Sequence, residues 1–409
     1  MKSDIKQLLD NFTSLAVLKV ANLVLPFVTL PYLIKTLGFE KYGVIVVSLA
    51  LMQYFQAFTD YGFNLSATRD IAIHKHSKSQ LSFIYRKVFS SKVILLVFSI
   101  SILLPIIAFT PQFNEHKELY VLMLFMLIGY TLFPIWFFRG IEKMRYITIL
   151  DLTVKVFFTV GVFIFIREKS DYWIYGLLNG AGFCSVAFIS HYLICKRYQV
   201  KFRFVNIKYI KKTLKAGFPL FINQFAPNLY NNTTNFLVGM MLGSYSAGVF
   251  GAVRQIVNLL SVLNSVISTV MFPYLNRNKG HFDSYRMYYL VAWIIISMTL
   301  LALYKFIFHF LGITDAVAPE ALVILVFGMF FIVINSIYAT NYLLVYKYDK
   351  LVMHITLKVS LVGFLIAYPA ILYFGILGAS VTIFIAQLLL GVMAYLAYKK
   401  IIEKGDVAV

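Results

Sequence analysis

Charged side chains are scarce in this chain, 13% of its 409 residues, and acids are the scarcer sign, with 17 Asp and Glu against 37 Lys and Arg. So little charge cannot cover a water-soluble globule of this length, and most of the surface must face lipid. Cysteine is nearly absent. Cys184 and Cys195 stand eleven residues apart, about 16 Å along one continuous helix, too far for a disulfide between them; both read as packing residues. The seven histidines are scattered, and His74 and His76 flank Lys75 without a neighbouring cysteine or acidic cluster, so no metal site is expected. A catalytic triad, a phosphate-cradling glycine loop and carboxylates at hydrolase spacing are all missing. Neither enzymatic activity nor a cofactor is expected. The first twelve residues carry Lys2, Asp4, Lys6 and Asp10 and enter a long apolar run without a small-residue cleavage site, so the first helix is expected to remain in the mature protein.

What is present is apolar length. Hydrophobic residues make up 60% of the chain and mean hydropathy is +0.80. Apolar windows near 13–34, 43–66, 88–109, 120–138, 147–166, 172–194, 214–238, 246–274, 288–311, 320–344, 352–374 and 377–398 are each close to the roughly 20 residues that cross a bilayer as a helix. The expected fold is all-α and integral to the membrane, with about twelve spans and external loops too short to fold alone. An even number of spans puts both termini on one side. Of the 37 basic residues, 26 fall on the set of segments that includes the termini, eight of them between Lys196 and Lys215, whereas the alternate loops hold only Lys35, Lys41, Lys117, Arg167, Lys169 and Lys305. The positive-inside rule places both termini in the cytoplasm. The formal charge of +20 then reflects basic loops facing anionic lipid headgroups, and no nucleic-acid partner is expected.

The chain repeats itself at half its length. Leu37, Gly38, Gly43 and Val44 in LGFEKYGV recur as Leu242, Gly243, Gly248 and Val249 in LGSYSAGV, at a constant offset of 205. Each block follows a helix with two prolines, Pro26 and Pro31 or Pro219 and Pro227, where a lost N–H and a ring clash are expected to bend the backbone. A duplication of six helices predicts halves at 1–200 and 201–409, related by a pseudo-twofold along the membrane normal and able to rock about a central cavity.

Five basic residues remain inside the spans: Lys19, Lys92, Lys155, Arg254 and Lys358. Lys92 lies one turn inside its helix and is expected to snorkel to the surface. The others sit where a charge costs about 2.5–3.5 kcal/mol on insertion scales and should face protein or water. Two acids lie within spans, Asp60 and Asp151. Asp151 precedes Lys155 by four residues, which suits either a helical ion pair or a functional role. Lys19, Arg254 and Lys358 leave a positive excess that would attract an anion if they line a cavity, or would snorkel if they do not. Amides at Asn228 and Asn232 with Gln53 could bind sugar hydroxyls or serve as glue between helices. If the two halves rock about a cavity to move a substrate, no nucleotide-binding loop is there to drive them, and an ion gradient, the substrate's own gradient or both would have to do so. Asp60 and Asp151 are the ion-coupling candidates. Asn64 stands one turn beyond Asp60 as a hydrogen-bond partner. The alternative for Asp60 is a structural tie to Arg69 or to an amide.

At this point the residues carry a resemblance. Residues 31–72, PYLIKTLGFEKYGVIVVSLALMQYFQAFTDYGFNLSATRDIA, with PIWFFRGIEKMRYIT (134–148), FPLFINQFAPNLYNN (218–232), LGSYSAGVFGAVRQI (242–256) and FPYL (272–275), resemble the polysaccharide-biosynthesis flippases called Wzx. These belong to the multidrug/oligosaccharidyl-lipid/polysaccharide exporter superfamily. Arg139 stands where that family more often has glutamine. The resemblance implies a flippase of the bacterial inner membrane. Its substrate would be an O-antigen or similar repeat unit on undecaprenyl pyrophosphate, moved from the cytoplasmic to the periplasmic leaflet. Membrane lipid, a polysaccharide polymerase and a chain-length regulator would be its partners. A multidrug exporter of the same superfamily is the nearest rival, though its cationic substrates would favour intramembrane carboxylates; a membrane glycan polymerase is the rival among enzymes.

Overall fold

A long run of Leu, Ile, Phe and Val in lipid must satisfy every backbone N–H and C=O internally, which leaves the helix as the local solution. A computed structural model describes residues 2–200, 203–277 and 279–403, apart from the side chains of 2–16, 23, 273 and 279. The side chains of Lys2, Lys6, Lys201, Lys279 and Lys404, counted in the charge bias, lie outside the described residues. Helices and turns make up the rest, without a strand among the described residues.

Two compact units divide the chain, 1–225 and 226–409. The first holds α1 (Lys2–Asp60), α2 (Phe63–Ile73), α3 (Lys78–Phe109), α4 (Pro111–Asn114), α5 (Lys117–Leu132), α6 (Ile135–Gly140), α7 (Met144–Phe165), α8 (Ile174–Tyr198) and α9 (Ile207–Phe225). The second holds α10 (Asn228–Leu242), α11 (Ser244–Arg277), α12 (Phe282–Ala302), α13 (Tyr304–Leu311), α14 (Ala318–Asn335), a π-helical turn at Ser336–Leu343 and α15 (Asp349–Glu403). The break by contacts thus falls after α9, whereas the halves expected at 1–200 and 201–409 would part before it.

Local signals start and stop these helices as their chemistry requires. The Ser77 side chain accepts from the Gln80 N–H to open α3, and prolines sit in the first turns of α4 and α14, where a missing N–H is harmless. Lys196 and Arg197 occupy the last turn of α8, complementing its negative end. Among the described residues, nine helices are long and apolar enough to cross a membrane. Two of them are broken within, α1 at Gly38 and α15 at Gly375. The apolar window at 214–238 is divided between α9 and α10, which part at Ala226 and Pro227. Of the four prolines flagged in the sequence, only Pro227 accompanies a break; α1 continues through Pro26 and Pro31 with helical angles.

The two matched glycines share a backbone conformation. Gly38 has φ 73° and ψ 166°, and its counterpart Gly243 has φ 87° and ψ 171°. That region of conformational space belongs essentially to glycine, so the two matched Leu-Gly pairs turn the chain by the same means. Their companions Val44 and Val249 are both buried. Rings pack inside each unit: Phe137 meets Tyr198 at 5.3 Å in the first, and Tyr338 meets Tyr398 at 4.7 Å in the second. Phe63, Ile71, Tyr85, Trp136, Phe137 and Ile194 belong to the core of the first unit; Tyr230, Ile355, Val359, Ala386 and Leu390 pack together in the second. Large apolar side chains face outward elsewhere, among them Phe109, Phe188, Leu365 and Phe374, as lipid contact demands. The chain is a multi-pass helical membrane protein.

Candidate functional site

In the first unit the polar site forms where α1 ends. Positive φ at Tyr61 and Gly62 turns the chain into α2, and this turn aims Asp60 inward. Its Oδ1 accepts from Asn64 Nδ2 at 2.8 Å, the partner expected from the one-turn spacing. Lys92 on α3 reaches the same oxygen at 3.4 Å, with both residues buried. Lys92 therefore does not snorkel, because an internal carboxylate neutralises it more cheaply than a long reach to water. Arg69 is not the ion-pair partner of Asp60. Tyr130 lies within electrostatic reach of Asp60, Asp151 and Arg139, and the Thr59 and Thr131 hydroxyls meet at 2.8 Å to tie α1 to α5. On α7, Lys155 bonds Asp151 one turn back, so this lysine is neutralised within its own helix.

In the second unit α10, α11, α14 and α15 enclose a cavity of about 260 Å³. Arg254 on α11 is its only charged lining residue. Its Nη1 donates to the backbone oxygen of Asn231 at 2.6 Å, and Nη2 donates to Asn231 Oδ1 at 3.3 Å. Phe250, one turn earlier, lies 6.0 Å below the guanidinium. No carboxylate pairs with Arg254 among the described residues. Asn258, Ser261, Tyr230 and Gln387 supply further polar lining, with Leu325, Ile332 and Ile383 among the apolar wall. Gln387 is 8% exposed, and its Oε1 has no hydrogen-bond partner.

Other expected site residues fall elsewhere. Lys358 is exposed on α15, Gln53 is exposed on α1 and Lys19 is partly buried on α1. Asn232 donates to Asn228 at 2.8 Å within α10, and neither lines the Arg254 cavity. Sequence reasoning did not single out Gln387, though a lone amide inside the apolar run FIAQLLLG is a legible signal. It also missed the pairing of Lys92 with Asp60, for which spacing 32 residues apart carries no signal. A further buried network, Asn264 to Ser336 and Tyr289 and Asn341 to Ser268 and Tyr285, hangs on the π-helical turn. That turn re-aims Ser336 and Asn341 out of the ordinary helical register.

Long apolar helices that seal charged and amide groups inside two units define a polytopic membrane protein with polar interior sites. Residues 8–279 match the family model described as polysaccharide biosynthesis protein, and the chain belongs to that family. It is 28% identical over 398 residues to the "Putative O-antigen transporter" of Escherichia coli (strain K12), covering 93% of this chain and 94% of that one. A protein of the same name from Shigella dysenteriae is 24% identical over 376 residues, covering 90% and 94%. Solved structures share the fold. An inward-facing multidrug resistance MATE family transporter of the MOP superfamily superposes with a TM-score of 0.74 at 14% identity, covering 97% of this chain and 100% of that one. The lipid II flippase MurJ, in an inward closed conformation, superposes at 0.71 with 17% identity, covering 97% and 87%.

Proposed function

We propose that this protein is a flippase that moves an oligosaccharide repeat unit, carried on undecaprenyl pyrophosphate, from the cytoplasmic to the periplasmic leaflet of the bacterial inner membrane. It is a transporter and not an enzyme on this reading, with a surface polysaccharide such as O-antigen as the end product. Family membership and the transporter names of both relatives support it. The observation that carries it is Arg254, a guanidinium without a carboxylate partner facing a polar cavity. Such a site attracts anions and repels the cations that a drug exporter would carry. Unaided, the sugar headgroup would cross hydrocarbon with its charge unpaired and many hydroxyls unsatisfied, at several kcal/mol each. Lys19, Lys358 and Lys155 would add cationic surface along the path, and Gln53, Asn228 and Asn232 would offer amides to sugar hydroxyls. For the driving force, Asp60 and Asp151 stay the candidates. Each faces a lysine, so proton or cation exchange there would open an ion pair. A polymerase and a chain-length regulator would act on the product.

Deleting the gene should abolish surface polysaccharide and leave lipid-linked repeat units accumulating on the cytoplasmic leaflet, with export restored by the wild-type chain. Normal surface polysaccharide in the deletion strain would reject the reading.

The charge bias sets the orientation on this reading. In a background without Cys184 and Cys195, a membrane-impermeant maleimide added from the periplasm should label cysteines at Lys169 and Tyr245 and spare those at Ser79 and Lys350. The reverse pattern would invert the topology.

A further inference from the structure

One face of α8 carries Cys184, Ala187, Phe188, His191, Tyr192 and Cys195 at helical spacing, and these residues wall a groove of about 550 Å³ in the first unit. Ile128, Gly129 and Leu132 of α5 and Phe89 of α3 complete it. Three helices therefore enclose this groove, whereas a cleft of similar size along α7 is lined by that one helix. An added Cβ at Gly129 would collide with the backbone between Phe183 and Cys184, so α5 and α8 meet backbone to backbone there. The His191 imidazole bonds the Tyr85 hydroxyl and stands at right angles to Phe89 at 5.4 Å. Its polarity is engaged within the protein, and the groove keeps an apolar surface. Phe188 and Tyr192 are 75% and 56% exposed, aromatic surface that only a membrane component can cover at this depth.

The groove is charged at one end only. The Tyr192 hydroxyl accepts from Lys196 Nζ at 3.4 Å, and the ammonium lies 5.6 Å from the centre of the same ring. Lys196 is exposed, and among the described residues no carboxylate pairs with it. Past α8 the chain returns to α3, where the Val205 N–H donates to Ser90 Oγ at 3.2 Å and the Phe204 ring lies 6.2 Å from Phe89. That return sets a second exposed cation, Arg203, at the same end. From Cys184 to Cys195 the groove runs about 16 Å along α8, about half the thickness of a bilayer's hydrocarbon core. An acyl chain of one leaflet has that reach and brings its phosphate to the level of Lys196. A polyprenyl tail overruns the groove, and a soluble anion gains nothing from its walls.

We propose that this groove is a binding site for an anionic phospholipid, with one acyl chain lying along α8 and α5 and the phosphate facing Lys196. The site stands apart from the flippase reading; the orientation set by the charge bias makes the lipid one of the cytoplasmic leaflet.

The test uses the full chain, delipidated in detergent micelles, with phosphatidylglycerol as probe and phosphatidylcholine, undecaprenyl phosphate and inorganic phosphate as the other arms, read as bound lipid by native mass spectrometry. Phosphatidylglycerol should be retained in preference to phosphatidylcholine and should resist excess inorganic phosphate. Lys196→Gln should weaken its binding about fivefold, as for removal of one basic group beside an anionic headgroup, and leave phosphatidylcholine unchanged. Cys195→Trp, which fills the groove, should weaken both lipids. Lys169→Gln, in the turn that precedes the other end of α8, should change neither. Lys196 is exposed, so its variant decides the matter if Cys195→Trp fails to fold. Equal retention of the two phospholipids, displacement by inorganic phosphate, unchanged binding in Lys196→Gln or wild-type binding by a folded Cys195→Trp would each overturn the site. An equal loss in Lys169→Gln would replace the site with a general attraction of charge. Tighter retention of undecaprenyl phosphate would give the groove to a polyprenyl tail and overturn the phospholipid assignment.

Discussion

Lys92→Met should destabilise the protein by about 3–5 kcal/mol, because it removes the counter-charge from a carboxylate that is already buried. Asp60 and Lys92 are 8% and 4% exposed and 3.4 Å apart, so water cannot take the place of the missing ammonium. The double variant Asp60→Asn with Lys92→Met should recover most of the loss, since the amide keeps an oxygen for Asn64 Nδ2 without leaving a charge. A double-mutant cycle in detergent micelles, followed by thermal unfolding with fluorescence-detected size exclusion, measures this. Equal losses in the single and double variants would mean that the methylene stem of Lys92, and not its charge, matters at this position. The same pair of variants also separates folding from transport. A well-folded double variant that has lost export would place Asp60 in the coupling machinery.

Gly378→Ala should be almost as damaging, by about 1–3 kcal/mol or more for overpacking. Ordinarily the exchange helps a helix, by about 0.8–1 kcal/mol. Here an added Cβ would overlap the carbonyl group of Ala370 and come within 3.0 Å of the Ile371 nitrogen. These are backbone atoms on the other side of the Gly375 break, and they cannot rotate out of the way as a side chain would. The clash should win over the propensity gain, and the melting temperature should fall. Gly280→Ala, where an added Cβ meets nothing within 4 Å, is the control. A higher melting temperature for Gly378→Ala would show that the two legs of α15 are not so closely packed.

Much of the architecture could be read along the chain because it depends on local quantities. Apolar length dictates helices in lipid, and the all-α membrane fold follows whatever the neighbours are. The matched Leu-Gly pairs pointed to a repeated turn, and Gly38 and Gly243 adopt nearly the same glycine-only angles. The i,i+4 pairs were equally local: Asp151 with Lys155, and Asp60 with Asn64. The number of separate helices was less legible, since a positive-φ glycine such as Gly38 or Gly375 breaks a long apolar run at a point that hydropathy does not mark.

The sequence by itself determined that this is a helical, multi-pass membrane protein and that basic groups outnumber acids inside its spans. Hydropathy, backbone chemistry and charge count settle those points without reference to contacts. Only the tertiary structure decided which of the basic groups are neutralised. Lys92 meets a carboxylate on another helix, whereas Arg254 meets only the amide and backbone of Asn231 and faces a cavity. The reason is that electrostatic neutralisation depends on distances of a few ångströms between side chains on different helices. Residues as far apart in sequence as 60 and 92, or 231 and 254, come to those distances only through packing.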